Sequence, residues 1–120
     1  MIGRLHSTVI DCPDPQALAN FYAAVLGGRI ARDDGDWVTV EGDGLPRLAF
    51  QQAPDLQPPQ WPDPDHPQQF HLDIDVDDVE AAEPKVLALG ARRLPGEGGD
   101  AETGFRVYAD PAGHPFCLVW

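Results

Sequence analysis

Phe70-His71-Leu72-Asp73-Ile74-Asp75-Val76-Asp77-Asp78 is the stretch on which the reading of this chain turns. Phe70, Leu72, Ile74 and Val76 alternate with His71, Asp73 and Asp75, the two-residue period of a strand with one buried face. An acidic turn and a helical pattern follow. Leu5-His6-Ser7-Thr8-Val9-Ile10-Asp11-Cys12-Pro13-Asp14 has the same plan: an early histidine, a β-branched run, an acidic turn and a helix. The chain reads as one unit written twice.

Outward from the first copy, the spacing predicts a strand over Leu5–Ile10. A helix then starts at Asp14-Pro15, Asp capping free amides and Pro fitting the first helical position. Leu18, Phe21, Tyr22, Val25 and Leu26 form one apolar stripe, and Gly27-Gly28 stops it. Three strands follow at Arg29–Arg32, Trp37–Glu41 and Arg47–Gln52, separated by turns rich in Asp and Gly. In the second copy, Asp77 or Asp78 caps a helix bearing Val79, Ala82, Val86 and Leu87. Pro84 is expected to kink that helix or confine its regular part to the later turns. Strands at Arg92–Leu94, Gly104–Ala109 and Phe116–Trp120 complete it, with Gly-rich turns at 96–99 and 110–113.

The expected domain is therefore a single α+β unit over 1–120: module one at 1–53, a Pro-rich linker at 54–69 and module two at 70–120. Each module is βαβββ, and the two form one curved mixed sheet with helices outside. Residues 54–69 hold six prolines, too poor in amide donors for a sheet interior. Trp61 is their one large apolar side chain, an anchor to the body or a pocket rim.

Eight basic residues against 20 acidic ones give a net charge of −12, which repels nucleic-acid phosphates and anionic membranes and favours neutral or cationic partners. Cys12 and Cys117 lie in separate modules and form no Cys-x-x-Cys motif, which points to free thiols in a reducing compartment. Met1-Ile2-Gly3-Arg4 runs straight toward a strand without a signal-like apolar segment, so a cytoplasmic protein is expected. No nucleophile elbow or phosphate-cradling glycine loop is present.

Asp14 to Gly27, with Phe21-Tyr22 followed by Leu26-Gly27, resembles the first helix of the vicinal oxygen chelate superfamily. Asp110-Pro111-Ala112-Gly113-His114-Pro115-Phe116 resembles the turn into that superfamily's last strand. The resemblance covers the whole chain and is nearest to the short glyoxalase-like and bleomycin-resistance-like members. It implies a U-shaped sheet around a cavity. In metal-dependent members His, Glu, His and Glu, or three of these, come from strands one, four, five and eight. The ion they hold stabilises an enediolate.

Carried over residue by residue, His6 matches the strand-one ligand and His71 the strand-five ligand. The strand-eight position is Cys117, and the strand-four position is Phe50, or Gln51 after a one-residue slip. Neither carboxylate is matched. The expected ligand pocket comprises His6, Trp37, Phe50, His71 and Cys117, with Trp120 as a further stacking surface and catalytic residues unassigned. No cofactor is expected; a divalent metal, if held, would use His6 and His71, and two imidazoles with a thiol suit zinc. Asp73 or Asp75 could orient His71. His66 and His114 lie off the matched positions.

Two functions fit these residues. One is binding or sequestration of a small, cationic or aromatic compound at a degenerate metal site. The alternative is a glyoxalase-like, metal-dependent lyase or isomerase acting on a small oxygenated metabolite. A small-molecule ligand is the expected partner, without nucleic acid or membrane. A homodimer is an option, because superfamily members pair modules within one chain or exchange them between two.

Overall fold

The computed structural model describes residues 1–120. Each half is a four-stranded mixed sheet with one helix, and the two halves share a topology. The elements are β1 (Thr8–Cys12), α1 (Pro15–Leu26), β2 (Arg29–Asp33), β3 (Trp37–Gly42) and β4 (Leu45–Gln52), then β5 (Leu72–Asp75), α2 (Val79–Ala88), β6 (Arg92–Gly99), β7 (Gly104–Ala109) and β8 (Pro115–Val119). Strand order is β1-β4-β3-β2 in the first sheet and β5-β8-β7-β6 in the second. In each, the first strand runs parallel to the last and the other pairs are antiparallel. The chain divides into compact units at Met1–Leu56 and Gln57–Trp120, a boundary inside the Pro-rich stretch.

In the first unit, the Asp14 carboxylate accepts from Ala17 N at 3.1 Å and Pro15 fills the first turn of α1. Gly27 closes the helix at φ 72°, a left-handed conformation that suits glycine. The helix buries Leu18, Ala19, Phe21 and Tyr22 and packs on β2, β3 and β4. Tyr22 stacks on Phe50 with ring centroids 5.7 Å apart, and Val38, Val40 and Leu48 fill the space around them.

In the second unit, Asp78 is the cap, accepting from Glu80 N at 2.9 Å and Ala81 N at 3.2 Å. The helix does not confine itself to the turns after Pro84. It runs from Val79 with Pro84 as its sixth residue, because the ring removes only one backbone donor while the cap secures the opening turn. This helix buries only Val79 and Val86. On the face of the β7–β8 pair opposite Val107 and Cys117, Tyr108 stacks on Phe116 at 5.5 Å, with Leu118 buried on the same face.

Most strand limits move by one or two residues from the sequence reading, and three strands carry the informative differences. The first strand begins at Thr8, not Leu5, since Thr8 is the first residue to pair with β4, opposite Leu48. The strand read over 70–76 is regular over Leu72–Asp75; Phe70 is half exposed and outside it. The segment 96–99 is not a turn but the end of β6, with Glu97, Gly98 and Gly99 opposite Arg106, Phe105 and Gly104 after a register shift. Backbone pairing needs amides and carbonyls, which glycine supplies as well as any residue.

Candidate functional site

The strand period and the sheet register together build a polar cluster in the second unit. His71 and Asp73 are two residues apart, on one face of the β5 segment. Asp73 lies opposite Cys117 in the parallel β5–β8 pair, which brings the thiol to the same place. His71 Nε2 is 3.2 Å from Asp73 Oδ1, and the Cys117 thiol hydrogen-bonds the same carboxylate. Donor atoms of His71, Asp73 and Cys117 all lie within 4.8 Å of one another. Burial first, and then the Asp73 charge, pushes the Cys117 thiol up to about 11, so it is protonated at neutral pH and is not a ready nucleophile.

These three residues line a cavity of about 540 Å³, inside the range of small-molecule sites. Its broad walls are Trp61, Phe105 and Trp120. The two indoles are held by hydrogen bonds. Trp61 Nε1 donates to Pro95 O at 3.1 Å and Trp120 Nε1 to Asp100 O at 2.9 Å. The Arg106 guanidinium lies over the Trp120 ring, 5.8 Å from its centroid. Gly104 makes room for that indole, because a Cβ there would sit 2.4 Å from Trp120 Cζ2. Gln68 also lines the cavity, and its Oε1 is buried without a hydrogen-bond partner.

Behind this wall a charged network ties β6 and β7 to α2. Glu83 accepts from Tyr108 Oη, from Arg93 Nη1 at 2.7 Å and from Arg106 Nη1 at 3.2 Å. Arg106 also pairs with Glu80. The Tyr108 hydroxyl, above all, holds the Glu83 carboxyl below its usual range, with the two guanidinium groups assisting. Burial, reinforced by Glu83, pushes Tyr108 up to about 12.

Of the five pocket residues read from sequence, His71 and Cys117 line this cavity. His6, Trp37 and Phe50 belong to the first unit. Trp37 is half-buried on β3, and Phe50 is fully buried against Tyr22, so it offers no surface to a ligand. Arg47 Nη1 donates to His6 Nε2 at 3.0 Å, and Arg47 also pairs with Glu41. His66 contacts Asp63 at 3.0 Å in the Pro-rich stretch. Trp120, expected to stack, and Asp73, expected as one of two partners for His71, both lie at the cavity. Phe105 and Gln68 were not foreseen. The alternation of β7 could have exposed Phe105 in the sequence, while nothing in the order of residues singles out Gln68.

Residues 7–119 match the sequence profile of the glyoxalase-like domain. The chain belongs to that family. No curated protein matches it by sequence. Among solved structures, the glyoxalase-like chain is similar to a glyoxalase/bleomycin resistance protein/dioxygenase family enzyme from Burkholderia phytofirmans PsJN, at 20% identity and TM-score 0.75, covering 98% of both chains. It is similar to a glyoxalase-related enzyme from Fulvimarina pelagi, at 17% identity and TM-score 0.70, covering 98% of this chain and 88% of the other. A glyoxalase/dioxygenase from Nostoc punctiforme gives 20% identity and TM-score 0.71, covering 97% and 89%. At these identities the likeness establishes the fold. No helix is long and apolar enough to cross a membrane.

The four-position metal set that the resemblance implies does not fit the residues present in this glyoxalase-like domain. Phe50 is apolar and fully buried at the strand-four place. His6 directs Nε2 at a guanidinium, whose charge opposes a cation on that nitrogen.

Proposed function

We propose that this glyoxalase-like protein binds a small, flat, cationic compound in the cavity of its second unit. One observation carries the reading: three aromatic walls, Trp61, Phe105 and Trp120, surround a cavity whose polar lining includes an acidic side chain, Asp73. Aromatic faces attract flat cations, at about 0.5–2 kcal/mol per contact. The carboxylate accepts hydrogen bonds and attracts a positive charge. The net charge of −12 adds long-range attraction for a cation and supports a protein that does not bind nucleic acid. Titration of tryptophan fluorescence with 9-aminoacridine, cationic at neutral pH, against acridine, neutral there, tests the reading. Tighter binding of the cation by about tenfold, lost in Asp73→Asn, is the expected result. Equal affinity for the two dyes, or none, overturns it.

A second reading, metal-dependent lyase or isomerase chemistry on a small oxygenated metabolite, is supported by the close approach of His71, Asp73 and Cys117. Stoichiometric zinc, nickel, manganese or iron in protein purified without a metal-affinity step would favour it.

A further inference from the structure

We propose that the second unit by itself binds one thiophilic divalent ion, zinc above all, through His71, Asp73 and Cys117. The proposal rests on the second reading only for the presence of an ion, and not for turnover. It differs from the set that the resemblance implies: it takes no ligand from the first unit and uses an aspartate of β5 in place of both missing carboxylates.

The chemistry of the donors selects the metal. An imidazole, a carboxylate and a thiol form a mixed nitrogen, oxygen and sulfur set, which suits zinc and is poor for magnesium or calcium. The geometry is close to what an ion needs. Tetrahedral zinc, with bonds of about 2.0–2.3 Å, holds its donors roughly 3.5 Å apart. Here His71 and Asp73 are already at 3.2 Å and all three donors lie within 4.8 Å, so side-chain adjustment of about 1 Å closes the set. Two donors sit on paired strands in fixed register, which limits the ordering that binding requires. On binding, the ion replaces the Cys117 thiol proton, which passes to solvent.

Gln68 lines the same cavity, but its Oε1 is closed off from the open volume, so it is not among the donors. His6, Cys12 and His66 do not enter: Cys12 is buried on β1 with its thiol toward Gln51 O at 3.8 Å, and the other two are engaged as described.

The test uses the full chain, tag-free and stripped with chelator, titrated with cobalt(II) and then zinc(II), with near-ultraviolet absorption and native mass spectrometry as readouts. The expected result is one ion per chain, with a thiolate-to-cobalt charge-transfer band that zinc abolishes. Cys117→Ala loses the band and Cys12→Ala keeps it. Asp73→Asn, whose side chain is 60% exposed and carries little of the fold, weakens zinc binding at least tenfold. Should Cys117→Ala fail to fold, Asp73→Asn and Cys12→Ala decide the matter. No band in the native chain, a band that survives in folded Cys117→Ala, a band lost in Cys12→Ala, or unchanged affinity in Asp73→Asn overturns the proposal. Dye binding is measured on stripped protein, so failure of the ligand reading and failure of the metal site are separate outcomes.

Discussion

The two units share strand order, helix position and capping chemistry, yet they spend their large side chains differently. The first buries Phe21 and Tyr22 of α1 and Phe50 of β4. The second has a helix with only two buried residues, and it leaves Trp61 and Phe105 partly exposed, at 36% and 41%, around a cavity. The histidines that precede their first strands diverge as well: His6 meets the cation Arg47, and His71 meets the anion Asp73. A duplicated framework thus leaves one copy to provide stability and the other to hold polar donors beside open aromatic surface.

The comparison breaks most readily at the aromatic residues. Phe50→Ala should cost about 3–5 kcal/mol in denaturant unfolding, since it empties a fully buried ring site. Phe105→Ala should cost less than about 1 kcal/mol but weaken 9-aminoacridine binding. If the two costs prove similar, the assignment of one ring to core and the other to cavity is wrong.

Next in size is Gly104→Ala. Its Cβ would meet Trp120 Cζ2 at 2.4 Å and Gly98 O at 2.6 Å, so Trp120 or the β6–β7 pairing must shift. A loss of about 1–3 kcal/mol with an altered tryptophan emission maximum is expected. An unchanged spectrum would show that the indole is not held against β7.

The pH dependence should also differ between the units. Tyr108 and the two guanidinium groups lower the Glu83 carboxyl in the fold, so its contribution is full above the unfolded value of 4.5 and disappears as pH falls through the lower folded value. Glu83→Gln should cost about 1–2 kcal/mol at neutral pH and progressively less in acid, read from urea midpoints. A pH-independent difference would remove the carboxylate from this role. Smallest of all is His6→Ala, expected within about 0.5 kcal/mol of the native chain because the imidazole is exposed and its partner stays paired with Glu41.

Much of the framework was legible because its signals are local. The stripe from Leu18 to Leu26, the caps at Asp14 and Asp78, and the alternation around Leu72 and Ile74 each report through near neighbours. The Asp110 turn does too: Asp110 Oδ1 accepts from Ala112 N at 2.9 Å and His114 N at 3.0 Å. The misread segments are those where side chains say little about the backbone. Gly96 to Gly99 looks like a turn by composition, yet Glu97 to Gly99 pair as a strand. Leu5 opens the segment read as the first strand but lies before the first pairing.

For the candidate site, the sequence by itself nominated His71, Cys117 and Trp120, offered Asp73 as a partner for His71, and determined a duplicated βαβββ chain with a strong negative charge. Tertiary structure decided which groups meet. The parallel register of β5 and β8 sets Cys117 beside Asp73, and Phe105 and Gln68 reach the cavity from segments far apart in the chain. Packing also took Phe50 out of reach and turned His6 toward Arg47. The physical reason is the same throughout: periodicity and capping act over a few residues, whereas register, burial and the sign of a neighbouring charge depend on what the fold brings alongside.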